Sequence, residues 1–285
     1  SAKELSQAEM FDLNSWESTV TKIFNANKEN LLLEFTATID LNNENIINKY
    51  HDKIIFNYPL KAFRLDGYSK EVKVLQSDIN PFERALQAII INQLRRKVFE
   101  ANGLIIKPVI LLKSKTIKDS NNFYDEFIEK IKSLKANDLK KLKSNPNLDS
   151  VLERAFTYFA DNKITLENLV LELQEEFSEY KCISVNSQDD SVQKQIDVNT
   201  LEDDDNEYRA IFAVDKLNEG WDVLNLFDIV RMYDTRDAKA GKPGKTTLSE
   251  AQLIGRGARY CPFRLNEEQP LYQRKYDILN RETEA

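Results

Sequence analysis

Apolar positions along the chain fall into two regimes, short unbroken runs and longer stretches at helical spacing. An unbroken run of roughly four to eight apolar residues fits a strand buried on both faces, whereas recurrence every three or four residues fits one face of a helix. The first regime occurs in LLLEFTATID (31–40), KPVILLKSK (107–115), YKCISVNS (180–187), YRAIFAV (208–214) and LFDIVRMYD (226–234). The second begins with Leu5, Ala8, Met10 and Leu13, followed by Trp16, Val20, Ile23 and Phe24. It returns in FERALQAIIINQLRRKVFEANG after Pro81, where Asn102-Gly103 supplies a left-handed C-cap, and again in FYDEFIEKIKSL. Residues 41–80, interrupted by asparagines, Pro59 and Gly67, read as a connecting segment with short extended pieces.

Strands alternating with helices, the strands unbroken rather than alternating, predict an α/β fold with a mainly parallel, doubly wound sheet and helices on both faces. The lysine-rich helical pattern from about 137 to 177 makes the second crossover longer than a simple one requires, so a helical insertion is expected there. An acidic loop follows the strand at 180–187, and KLNEGWDVLN forms a loop after the strand at 208–214. TTLSEAQLIGRGAR begins as a helix capped by Thr247 or Ser249.

Composition adds exclusions. With 285 residues, 41% hydrophobic and 31% charged, the chain is of globular rather than disordered character and long enough for a sizeable core. It has no apolar run of membrane-spanning length and no signal-peptide pattern, which makes a cytoplasmic location the default and excludes a membrane partner. Cys182 and Cys261 stand alone, so neither a disulfide framework nor a metal ribbon is suggested, and both read as small buried residues. His51, the one histidine, reads as a solvated residue; no metal site is expected. The net charge of −7 argues against a global basic field for nucleic acid, although Lys130, Lys132, Lys135, Lys140, Lys141 and Lys143 concentrate positive charge locally.

Two motifs bear on chemistry. GKPGKTT (241–247) matches the end of a phosphate-binding loop, but the full pattern requires glycine where Lys239 stands, and the strand context is missing. A loop with turn residues explains it better, which removes a nucleotide kinase from consideration. SEAQLIGRGARYCPF (249–263) spaces Gln252, Gly255, Arg256 and Arg259 so that two guanidinium groups lie three residues apart behind a glutamine. Permanently charged, bidentate guanidinium groups suit a phosphoryl group in transfer.

The second motif has company in a fixed order: FTAT (35–38), VILLKSK (109–115), and AVDKLNEGWDV (213–223). Together these resemble motifs III, IV, V and VI of superfamily 2 helicases and translocases. LNEGWDVLNLFDIVRMYDTRD followed by EAQLIGRGARYCPF most closely resembles the restriction (Res) subunit of type III restriction enzymes, over about residue 31 to the end. The resemblance implies a RecA-like P-loop NTPase fold. Residues 1–40 would end the first motor domain, 41–80 connect, and 81–285 form the second motor domain with its insertion.

It also implies roles. Gln252, Arg256 and Arg259 would face the triphosphate, Arg259 as the arginine finger completing the site from across a cleft. Gly220 and Asp222 would lie near the nucleotide sugar, Thr36 and Thr38 would couple nucleotide state to the DNA track, and Lys113, Ser114 and Asn218 would serve DNA contact at the cleft. The implied ligands are ATP and Mg2+, bound mainly by a first motor domain, and the implied partners are double-stranded DNA and a methyltransferase (modification) subunit. The phosphate-binding loop, the acidic magnesium motif and the nuclease of this family are not found in the sequence, so these 285 residues alone are expected neither to hydrolyse ATP nor to cut DNA. Competing readings are another superfamily 2 motor, such as a repair helicase or a type I restriction motor, and a non-catalytic binding module of the same fold.

Overall fold

The computed structural model describes residues 18–36, 39, 41, 44–75, 79–186, 191–214, 217, 221–233 and 253–272. The chain divides into two compact units, Ser1–Ile55 and Phe56–Ala285. In the first, residues 18–25 are helical and a short helix α1 (Glu44–Tyr50) follows, with Glu44 in its first turn and Lys49 in its last, each charge favourable to the helix dipole.

The strand expected at 31–40 is not formed in its described part. Residues 31–36 are irregular, and Leu31, Leu33 and Phe35 are exposed. An extended segment gains little without a paired neighbour, and among the described residues no ladder reaches it.

The second unit begins with a short helix α2 (Leu60–Leu65), set in the stretch read from sequence as extended pieces. The long helix α3 (Pro81–Ala101) starts where Pro81 fits the first turn and Asn80 accepts a hydrogen bond from the Glu83 amide at 2.9 Å. It ends at Gly103, whose φ of +70° is the left-handed geometry that the Asn-Gly pair predicted. Strand β1 (Val109–Lys113) comes next, then α4 (Ile117–Lys132), capped by Thr116. The insertion consists of α5 (Ala136–Lys143), α6 (Ser150–Asp161) and α7 (Leu166–Glu176), with Asp149 and Thr165 capping the last two. Strand β2 (Cys182–Val185), helix α8 (Val192–Asn199), strand β3 (Ala210–Ala213) and strand β4 (Leu226–Arg231) complete the labelled elements. Helix α8, begun by a Ser191 cap, occupies part of the stretch expected to be an acidic loop; only the Glu202–Asp205 carboxylates remain in turns.

The four strands form one parallel sheet in the order β2-β3-β1-β4, with Leu111 opposite both Ile211 and Ile229. Successive residues of each strand point to opposite faces, and both faces are covered. Ile110, Leu112, Phe212 and Val230 pack with α3, α4 and the insertion helices; Val109, Leu111, Ile211 and Leu226 pack with Val198, Leu201, Trp221, Val223 and Leu253. Burial on both sides is why these strands read as continuous apolar runs. This is a doubly wound α/β sheet, as the sequence predicted, and it agrees with the RecA-like fold that the resemblance implied.

Between helices and sheet lies a buried ionic cluster. Arg209, 1% exposed, donates to Glu176, to the Pro108 carbonyl at 2.9 Å and to Asn92 Oδ1 at 2.7 Å. Glu176 also meets Arg96 and Lys181, and Asp228 of β4 receives Asn92 at 2.7 Å and Arg95 at 2.6 Å. The cluster joins α3, α7, β3 and β4. Among the described residues, no helix is long and apolar enough to cross a membrane.

Candidate nucleotide-facing site

The loop before β4 and the turn bearing the two arginines come together on the second face of the sheet. Trp221 is 2% exposed, and its indole Nε1 donates to the Val198 carbonyl at the end of α8 at 2.7 Å. Asn225 reaches the Leu201 carbonyl at 2.6 Å, and the Leu224 amide donates to Glu202 at 2.7 Å. These bonds fix the loop from below and leave Asp222 exposed on top.

Residues 253–257 form a helical turn whose buried Leu253 joins the core beneath that loop. A Cβ added to Gly257 would stand 3.0 Å from Ile229 Cδ1, so the absence of a side chain lets the turn approach β4 closely. Gly255, by contrast, has open space where a Cβ would be.

Arg256 donates through Nη1 to the Trp221 carbonyl, and Arg259 forms an ion pair with Asp222. The structure thus unites Arg256, Arg259 and Asp222. The two bonds differ in character. Arg256 ties one backbone to another from a half-buried position, whereas the Arg259 and Asp222 side chains are 42% and 55% exposed. A pair so exposed contributes about 0–1 kcal/mol.

Lys113 and Ser114, at the end of β1, are 4% and 3% exposed; DNA contact by either would require its cover to move. Thr36 lies in the irregular 31–36 segment of the first unit. Thr38, Asn218, Gly220, Gln252 and the GKPGKTT loop lie outside the described residues. No group of three His, Cys, Asp or Glu side chains among the described residues is arranged to hold a metal ion. Cys182 is buried and Cys261 half-buried; burial pushes the Cys261 thiol up to about 11.

One side chain of this site had no signal in the sequence. Lys70, from the stretch read as a connector, inserts its ammonium among the Leu224, Leu226 and Gly257 carbonyls at 2.6, 2.7 and 3.1 Å and lies 4.2 Å from the centre of the Phe227 ring. Its partners are separated from it by 154 to 187 residues, beyond the reach of any local pattern.

A parallel sheet wound on both faces, with paired guanidinium groups mounted beside an exposed aspartate, makes this a doubly wound α/β domain. The chain is 35% identical over 276 residues to the probable type III restriction-modification enzyme HindVIP Res subunit of Haemophilus influenzae (strain Rd), an alignment covering 86% of this chain and 53% of that protein. The chain is thus similar to a type III restriction-modification Res subunit, in keeping with the superfamily 2 resemblance of its motifs. The chain spans about half the length of this curated relative. A family model named HI_1054_N, described as an N-terminal region, matches residues 246–285. No solved structure matches the chain.

Proposed function

We propose that this chain carries the second motor domain of an ATP-dependent DNA translocase, the restriction subunit of a type III restriction enzyme. The observation that carries the reading is the joining of Arg256 and Arg259 to the Trp221-Asp222 loop, which brings two guanidinium groups against one loop. In this reading Arg259 leaves Asp222 for the γ-phosphate when the cleft closes, and Arg256 faces the triphosphate beside it. Positive charge supplied at that moment stabilises the charge spreading over the phosphoryl oxygens in transfer.

Gln252 would orient beside the arginines, Gly220 and Asp222 would sit near the sugar, and Thr36 and Thr38 would relay the nucleotide state to DNA. Mg2+ and the phosphate-binding loop would belong to the first motor domain. Cycles of closure and opening would then move the full-length protein along double-stranded DNA, with a methyltransferase subunit choosing the site and a nuclease making the cut.

The test is ATP hydrolysis by the natural full-length protein, together with its modification subunit, with and without duplex DNA. The expected result is Mg2+-dependent hydrolysis that rises when DNA is added. No hydrolysis under any DNA condition refutes the motor and favours a non-catalytic binding module.

A further inference from the structure

Arg259 is held from two directions. Its side chain meets Asp222, while its backbone pairs with Ser69 in an isolated antiparallel bridge, reinforced by the Lys70 amide donating to the Ala258 carbonyl at 2.8 Å. Ser69 is fully buried. The adjacent Lys70 side chain passes between the loop and the arginine-bearing turn, and its three carbonyl acceptors match the three N–H groups of an ammonium. Two of those carbonyls belong to Leu224 and Leu226, flanking the start of β4; the third belongs to Gly257, two residues before Arg259.

We propose that Lys70 is a positioning residue for Arg259, a clasp that fixes the arginine-bearing turn to the Asp222 loop and ties both to the segment preceding α3. The inference rests on the functional reading above for its catalytic consequence and on geometry alone for the clasp. Three carbonyls from two separate segments converge on one side chain, and the neighbouring backbone bridges the very residue whose placement matters. The 69–70 segment is consequently a mechanical handle: a change in the chain before α3 reaches Arg259 through one backbone bridge rather than through the core.

Lys70→Met keeps the aliphatic stem and removes the three donors; Lys70→Arg restores charge and donors on a bulkier head. Hydrogen exchange of the 285-residue chain is measured first, at pH 6, where Lys70 carries all three N–H donors. The clasp predicts at least tenfold faster exchange of amides at 253–260 in Lys70→Met, with α3 and β1 unchanged and partial recovery in Lys70→Arg. Unchanged exchange at 253–260 overturns the clasp, and faster exchange spread equally over α3 and β1 shows general destabilisation and overturns it as well.

In the full-length protein, Lys70→Met should lower kcat for ATP by at least tenfold with KM for ATP moved less than threefold, again partly recovered by Lys70→Arg. A normal kcat beside a loosened turn overturns the positioning role. A wild-type protein that turns over no ATP refutes the functional reading, while the exchange result still decides the clasp.

Discussion

The buried cluster around Glu176 offers the sharpest test of how the second unit is held together. Arg209 is 1% exposed and cannot reach water, whereas the Arg96 and Lys181 side chains that share Glu176 are 31% and 20% exposed. Glu176→Gln keeps the volume and removes the carboxylate charge. Arg96 and Lys181 then turn outward at small cost, but Arg209 stays behind with neutral partners alone: the Pro108 carbonyl, Asn92, the Phe177 ring and the amide oxygen of the new side chain. Leaving a buried charge without its counter-ion costs about 3–5 kcal/mol, a large share of the roughly 5–15 kcal/mol that stabilises a typical domain. With a urea dependence of about 2–3 kcal/mol per molar, the unfolding midpoint should fall by about 1–2.5 M. Adding Arg209→Met removes the stranded charge and should recover at least half of the loss. A single substitution costing less than about 1 kcal/mol, or a double variant as unstable as the sum of two damaging singles, would refute the view that uncompensated charge is what matters.

Three further outcomes follow from other parts of the structure. Trp221→Phe removes the 2.7 Å bond to the Val198 carbonyl and leaves that carbonyl without its indole donor, so unfolding by denaturant should show a loss of about 1–3 kcal/mol; a change below about 0.5 kcal/mol would contradict the anchoring of the loop. Gly103→Ala meets no atom within 4 Å but must hold φ at +70°, so the cost is one of backbone alone, about 1–2 kcal/mol by thermal unfolding, and a neutral result would count against the left-handed cap. Burial pushes the Lys70 ammonium down to about 7, with Cys261, Asp228 and Glu202 opposing and Arg95 adding to the shift. The unfolded chain therefore binds more protons above that pH, and this group's contribution to stability rises with pH, by up to about 1 kcal/mol per unit between pH 7 and 9. Above that window the raised Cys261 thiol contributes the opposite slope. Stability measured against pH between about 7 and 9 should rise less steeply in Lys70→Met than in the wild type, the remaining rise coming from Lys107, which burial lowers to about 8; identical slopes would contradict the burial.

The four parallel strands were legible in the sequence because burial on both faces leaves an unbroken apolar run, as in Ile110-Leu111-Leu112 and Ile211-Phe212. Helix α3 was legible from Pro81 and Asn102-Gly103, which act on their own neighbours. The run at Leu31-Leu32-Leu33 carried the same signal without forming a strand, because pairing depends on a neighbour that local pattern does not supply. Helix α8 was hidden by the acidic character of its surroundings, although Ser191 marks its start. At the site, the spacing of Arg256 and Arg259 singled them out, but their junction with Trp221 and Asp222 joins residues 35 and 37 positions apart, a relation that spacing within the motif does not contain. Lys70 and Arg209 act entirely through distant partners. The one hint for Arg209 is a charge at the head of an apolar strand.

Under the proposed function, Arg259 brings positive charge to a phosphoryl group in transfer. The most direct measurement is the DNA-stimulated ATPase rate of the full-length protein with Arg259→Ala, with nucleotide binding followed in parallel. Stabilisation of the phosphoryl charge by this arginine predicts a fall of about a thousandfold or more in kcat with binding retained. A rate within a few-fold of the wild type would make Arg259 a partner of Asp222 and nothing more.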